Sequence, residues 1–179
     1  TPGAVNGSLP NQRGGTFVAK FSPVGGLLYA AILGVDAPQN PGDGPTGATA
    51  IAVDANGDAY VAGQAGSLWP TSSNAYLKQI AGPNPYANPF VTELAADAKS
   101  LVYSTYLDYA QGVTGISVLS NGNVFVTGNR AGPTYPTTAN AYQKNSGSGL
   151  DTFLTELNST GSSLVDSTIL TNSLIVING

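Results

Sequence analysis

Neither cysteine nor histidine occurs in the chain. Without cysteine there is no disulfide framework and no thiolate metal site. Without histidine the commonest zinc ligand is gone, as is the usual general base at neutral pH. A conventional Ser-His-Asp triad is therefore impossible, however many serines and threonines are present. Methionine is absent as well, which fits a processed, exported segment or an internal piece of a longer polypeptide, two compatible expectations. Charge is scarce: charged residues make up 9% of the chain, against about 25% in soluble proteins at large. Six Lys+Arg stand against ten Asp+Glu, a net charge of −4, and no basic cluster exists to neutralise phosphates, so nucleic acid is not an expected partner. No apolar run approaches the length of a membrane span, and no signal peptide is visible.

What replaces the charges is Gly, Ser, Thr, Asn and Ala, on a background of 41% hydrophobic residues. That is ample for a core, with a neutral polar surface of the kind found on extracellular or cell-surface proteins. The 179 residues suffice for one domain or a slice of a larger one.

Two kinds of unit alternate along the chain. The first is "TFVAKFSPVGGLLYAAIL" at 16–33, "PFVTELAADAKSLVYSTYL" at 89–107 and "TFLTELNSTGSSLVDSTIL" at 152–170, anchored on Phe17, Phe90 and Phe153. The second is "IAVDANGDAYVAGQAG" at 51–66 and "ISVLSNGNVFVTGNRAG" at 116–132, in which Ile51/Ile116, Gly57/Gly122 and Gly63/Gly128 keep one offset of 65. A connector follows each second unit, "WPTSSNAYLK" at 69–78 and "YPTTANAYQK" at 135–144. The opening "TPGAV" reads as the tail of another connector, and "LIVING" at 174–179 as a second unit cut at its Asn-Gly turn.

Each unit reads as a β-hairpin. Apolar residues alternate along its arms, and Asn-Gly between the arms tolerates the positive φ of a tight turn. In the first unit Val18, Val91 and Leu154 make the opposite face apolar too, which predicts a sheet covered on both sides. Hairpins are expected near 16–33, 51–64, 89–107, 116–129 and 152–170, within a single segment spanning 1–179. Connectors are expected at 34–47, 65–88 and 130–151, and "GVDAPQNPGDGPTG" at 34–47 is too rich in Pro and Gly for a strand. Two hairpins per period give four strands, the content of a propeller blade. The predicted class is all-β: propeller blades of four antiparallel strands, about two and a half present. They are left open or completed by missing or partner strands, because a closed propeller takes at least about four blades and an open edge invites pairing.

Blocks of the form "FVAKFSP…LLYAAIL", "IAVDANGDAYVAG" and "WPTSSNAY", in that order over nearly the whole chain, resemble the bacterial β-propeller repeat family (SBBP-type repeats). The resemblance implies a propeller in an exported or cell-surface bacterial protein. It implies no activity, since the family has no shared catalytic residues to carry over. The 34–47 insertion and the irregular spacing depart from it.

Candidate sites are few, and none is catalytic. Asp54, Asn56 and Asp58 have the alternating oxygen spacing that opens a calcium loop. The later ligands of such a loop are missing, and the second copy has Leu119, Asn121 and Asn123 instead, so a hairpin turn accounts for them as well. No other cofactor is indicated. Asp36 and Asp43 fit a solvated loop. Trp69 and Tyr135 hold equivalent places before Pro70 and Pro136, where an aromatic stacks on a sugar or packs between blades; Tyr76 and Tyr142 read as core. Glu93 and Glu156, with Lys20 in the third copy, read as solvated strand faces rather than as an acid–base pair. The leading functional expectation is a non-enzymatic extracellular or surface scaffold. It would bind a protein partner, or itself, through open blade edges. Glycan binding near Trp69 and Tyr135 is the alternative, and a portion of a carbohydrate-active enzyme comes third.

Overall fold

The computed structural model describes residues 4–5, 15–34, 46–80, 88–107, 110–130, 135–145 and 151–171. Among them it contains ten strands and no helix. Strands β1 (Thr16–Phe21) and β2 (Leu27–Leu33) form a two-stranded sheet. Strands β3 (Gly47–Val53), β4 (Ala59–Ala65), β5 (Asn88–Leu94) and β6 (Leu101–Tyr106) form a four-stranded sheet in that order. A second four-stranded sheet follows with β7 (Ala110–Val118), β8 (Val124–Arg130), β9 (Asp151–Leu157) and β10 (Leu164–Thr171). Every pairing is antiparallel. Each four-stranded sheet is thus a second-type hairpin joined edge to edge with the first-type hairpin after it.

Alternation decides the packing. In β4, Ala59 and Val61 belong to one apolar cluster, together with Val18, Tyr29 and Leu33 of the two-stranded sheet. Tyr60 and Ala62 belong to another, with Ile116, Val126, Phe153 and Ile169 of the second four-stranded sheet. The β3–β6 sheet therefore lies between the other two. Its inner strand β5 is buried at all seven positions, as strands covered on both faces should be.

The second-type strands begin earlier than their hydrophobic alternation shows. β3 starts at Gly47 and β7 at Ala110, because bulges between Ala48 and Ala50 and between Val113 and Gly115 shift the phase of the pattern. Here the two sheets meet, with Thr49 Oγ1 donating to the Val113 carbonyl at 2.8 Å and the Gln64 side-chain amide donating to the Gln111 carbonyl.

The Asn-Gly turns also differ from expectation. Gly57 N–H donates to Asp54 C=O at 3.1 Å and Gly122 N–H to Leu119 C=O at 2.9 Å, closing four-residue turns. Only the glycine has positive φ, +88° and +83° respectively, while Asn56 and Asn121 do not. A two-residue turn would need both residues there; this is the longer loop, in which glycine alone supplies the left-handed step.

Connectors cover the outer edges. Ser72 N–H donates to Ser104 C=O at 2.9 Å, and Tyr106 N–H to Leu77 C=O at 3.1 Å. Thr138 and Ser167 repeat the first bond at 3.0 Å, and Ile169 and Gln143 the second at 3.0 Å. The connector tip reaches the next sheet: Tyr76 N–H meets Gly161 C=O at 2.8 Å, and Val5 N–H meets Ala98 C=O at 2.7 Å in the same manner, which places "AV" of the opening stretch as a connector tail. Tyr76 is half-buried on the following sheet. Tyr142, expected in the core, is 87% exposed, because no described residue lies beyond the second four-stranded sheet for it to pack on. Asp36, Asp43 and the "LIVING" stretch lie outside the described residues.

Candidate functional site

Trp69 and Tyr135 come to matching places inside the sheets. Trp69 is 6% exposed and stacks on Phe90 with ring centroids 3.9 Å apart. Its Nε1–H is shared between Thr92 Oγ1 at 3.2 Å and Ser104 Oγ at 3.1 Å. Tyr135 is 4% exposed, stacks on Phe153 at 4.5 Å, and its hydroxyl meets Thr155 Oγ1 at 2.7 Å. Thr155 in turn meets Ser167 Oγ at 2.8 Å, as Thr92 meets Ser104 Oγ at 2.7 Å. Stacking on a sugar needs an open ring face, and neither ring presents one. The geometry is that of core aromatics whose polar atoms are satisfied.

The three residues with calcium-like spacing form the β3–β4 turn. Asp54 Oδ1 accepts from the N–H groups of Asn56 and Asp58, both at 2.9 Å, and Oδ2 accepts from Asn56 Nδ2 at 3.2 Å. Asp58 Oδ1 accepts from Ala96 N–H at 2.6 Å, tying this turn to the β5–β6 turn. Asp54 thus shapes the turn from within, an Asx-type role. Among the described residues no three Asp or Glu side chains gather closely enough to hold a metal ion.

Beside this turn lies a cleft of about 530 Å³ between the two four-stranded sheets. Both Asn-Gly turns line it, with Asp54 and Asp58 on one side, Asn121 and Gly122 on the other, and Tyr60 and Glu93 on its wall. Glu93, expected on a solvated strand face, is 5% exposed, and its Oε2 accepts no hydrogen bond. Burial pushes its carboxyl above the ordinary carboxylate range. The hydrogen bond from Tyr60 opposes this shift, and the charges of Asp58 and Asp54 add to it. The Tyr60 hydroxyl is raised by burial and then by Glu93, and Tyr103, the cross-strand neighbour of Glu93, is raised for the same reasons in the same order.

The second repeat treats the equivalent carboxylate differently. Asn123 Nδ2 donates to Glu156 Oε1 at 2.7 Å. In the first repeat Asp58 stands where Asn123 does, at the same offset of 65, and Tyr60 stands where Phe125 does. An amide donor is replaced by a second acceptor, so Glu93 keeps only its phenol partner. The signal was visible in the sequence as the Asp/Asn difference between copies. Its meaning depended on the burial of Glu93, which strand alternation alone does not give.

No family model and no curated protein matches the chain. Chemically the cleft offers carboxylates and a phenol, without a nucleophile–base pair.

Proposed function

We propose that the chain is a run of β-propeller blades, two of them four-stranded and one represented by its outer pair β1–β2, resembling the bacterial propeller repeat family. In this reading it is a non-enzymatic scaffold or interaction module of the extracellular space or cell surface. The two meander sheets built in one order, their face-to-face stacking and the repeated connector contacts all support blades.

One comparison carries the interaction reading. Phe90 and Phe153 are fully buried at 0% exposure, whereas their equivalent Phe17 is 76% exposed. Phe21 and Leu28 are exposed beside it, and among the described residues β1 pairs only with β2. At β5 and β9 the matching edge is occupied by β4 and β8. The partner that fits is therefore another blade, which adds a strand to β1 and an apolar face over Phe17. Sedimentation of the purified chain tests this. Association that Phe17→Asp abolishes is the expected result; a monodisperse monomer that recruits no added blade segment would overturn it. Hydrolysis of any polysaccharide by the chain would overturn the non-enzymatic half.

A further inference from the structure

We propose that the cleft between the two Asn-Gly turns is a binding site for an organic cation, an ammonium or guanidinium group held between Asp58 and Glu93. Such a site goes beyond the scaffold role and does not depend on it. Asp54 and Asp58 alone would be a solvated acidic turn. The independent observation is Glu93, on the wall of the same cleft, 5% exposed and with Oε2 accepting no hydrogen bond. A buried, unpartnered carboxylate oxygen is costly unless something donates to it.

The second repeat shows what is missing. There Asn123 supplies an N–H to Glu156 at 2.7 Å. In the first repeat Asp58 takes the place of that donor, and a negative charge is gained at the turn. The Tyr60 hydroxyl, where the second repeat has Phe125, gives Glu93 one hydrogen bond in return, and Oε2 is left without one. A ligand that restores the balance must donate hydrogen bonds and carry positive charge, which is what an alkylammonium or guanidinium does. The protein's own nearest cation does not fill the role. Lys20 Nζ comes to 3.0 Å from where a Cβ on Gly57 would sit, yet it forms no ion pair with Asp54, Asp58 or Glu93 and does not line the cleft.

A bare metal ion fits less well. Both oxygens of Asp54 already accept hydrogen bonds within the turn, and the acidic side chains do not gather into a metal-holding group. An organic cation reaches separated acceptors through several N–H donors, and Val53 and Val118 on the walls can pack its alkyl part. The volume of about 530 Å³ is in the range of small-molecule sites. The charge of Asp58, Asp54 and Glu93 faces no basic residue across the cleft: the opposite sheet contributes Val118, Leu119, Ser120, Asn121, Gly122 and Ser159.

Calorimetric and NMR titration of the full chain tests the site. The probes are agmatine, propylamine, the peptide acetyl-Gly-Arg-Gly-amide, neutral propionamide and calcium chloride. Saturable binding of agmatine or propylamine, with amide shifts at both Asn-Gly turns, is expected. The affinity should fall as salt rises and as Glu93 takes up its proton. Binding of the arginine peptide as well would assign the site to protein side chains; its exclusion would assign it to free amines. Asp58→Asn places the donor of the second repeat beside Glu93 while still accepting from Ala96, and Glu93→Gln removes the buried charge. Each should weaken agmatine about tenfold or more with the circular dichroism spectrum unchanged. No binding of any cation, unaltered affinity in folded Asp58→Asn, or calcium competing at the same residues would each overturn the proposal.

Discussion

The Trp69 ring lies on Phe90 with centroids 3.9 Å apart, and its Nε1–H reaches Thr92 and Ser104 at once. Tyr135 on Phe153 performs the same packing with a phenol, its hydroxyl on Thr155. The second repeat is thus a worked substitution for the first. Trp69→Tyr should cost least, under about 1.5 kcal/mol, because it keeps a stacked ring and a polar atom for Thr92. Trp69→Phe should cost more by the lost hydrogen bond, about 1 kcal/mol. Trp69→Ala should cost about 3–5 kcal/mol through the cavity it leaves. Urea denaturation of the three variants checks the order, and a small loss in Trp69→Ala would show that the ring is not core.

Glu93 makes stability depend on pH in an unusual direction. Its folded-state pKa lies above the ordinary carboxylate value, burial being the main cause. The folded state therefore binds its proton more tightly than the unfolded chain does. The stability tied to that proton is full below the ordinary carboxylate pKa and is lost as pH rises through the raised folded value. Most paired carboxylates act the other way. Glu93→Gln should consequently gain in melting temperature relative to the parent as pH rises from acid towards neutral, and gain little at the acid end. Thermal melts of both proteins between about pH 4 and 8 test this, and a difference that does not vary with pH would contradict it.

Much of this fold could be read from the chain, and the reason is repetition. The fixed offset between "NGDAYVAG" and "NGNVFVTG" identified hairpins that local propensity alone would have left ambiguous. The apolar Val18, Val91 and Leu154 carry one signal, a sheet covered on both faces. It holds for Val91, whose sheet lies between the other two, whereas the β1–β2 sheet leaves Phe17 exposed and no described residue covers the far side of the Leu154 sheet. What stayed hidden depends on neighbours in space. The early starts of β3 and β7 are masked by bulges that shift alternation by one residue. Tyr76 and Tyr142 share a motif but not an environment, since only Tyr76 has a following sheet to lie on. Glu93 and Glu156 look identical in sequence and differ in their surroundings: Tyr60 against Phe125 across the strand pair, and Asp58 against Asn123 at the turn beside it. Aromatic residues at Trp69 and Tyr135 fitted sugar stacking or packing equally well until Phe90 and Phe153 were seen against their faces.

Phe17 and Phe90 should respond oppositely to substitution. Phe17 is largely exposed and Phe90 fully buried, although they anchor equivalent strands. Phe90→Ala should cost about 3–5 kcal/mol. Phe17→Ala should change the stability of the isolated chain by less than about 0.5 kcal/mol while weakening any association through β1. Denaturant melts at low protein concentration separate the two effects. A large loss in Phe17→Ala under those conditions would mean that this ring is already covered in the monomer.

The glycine closing each second-type motif, Gly63 and Gly128, is held by a close backbone approach rather than by an unusual φ. A Cβ on Gly63 would lie 2.1 Å from the Gly47 carbonyl oxygen, and one on Gly128 would lie 2.0 Å from the Gly112 carbonyl oxygen. Both obstacles are backbone, on the strand paired beside the glycine and next to its bulge, so no side-chain rotation relieves them. Gly128 is crowded further by Phe153 Cε1 at 2.8 Å, the ring that Tyr135 stacks on. Gly57→Ala differs in kind: its strain is a positive φ of +88°, which costs about 1–2 kcal/mol in a non-glycine residue. Gly128→Ala must instead push β7 away from β8 or move Phe153, and overpacking of this sort costs about 1–3 kcal/mol or more. The expected order of destabilisation is Gly128→Ala at least equal to Gly63→Ala, with Gly57→Ala the mildest. Amide exchange separates the causes: faster exchange along β7 and β8 in Gly128→Ala, but only at the turn in Gly57→Ala. If Gly128→Ala is tolerated with β7 protection intact, the close approach does not constrain this strand pair.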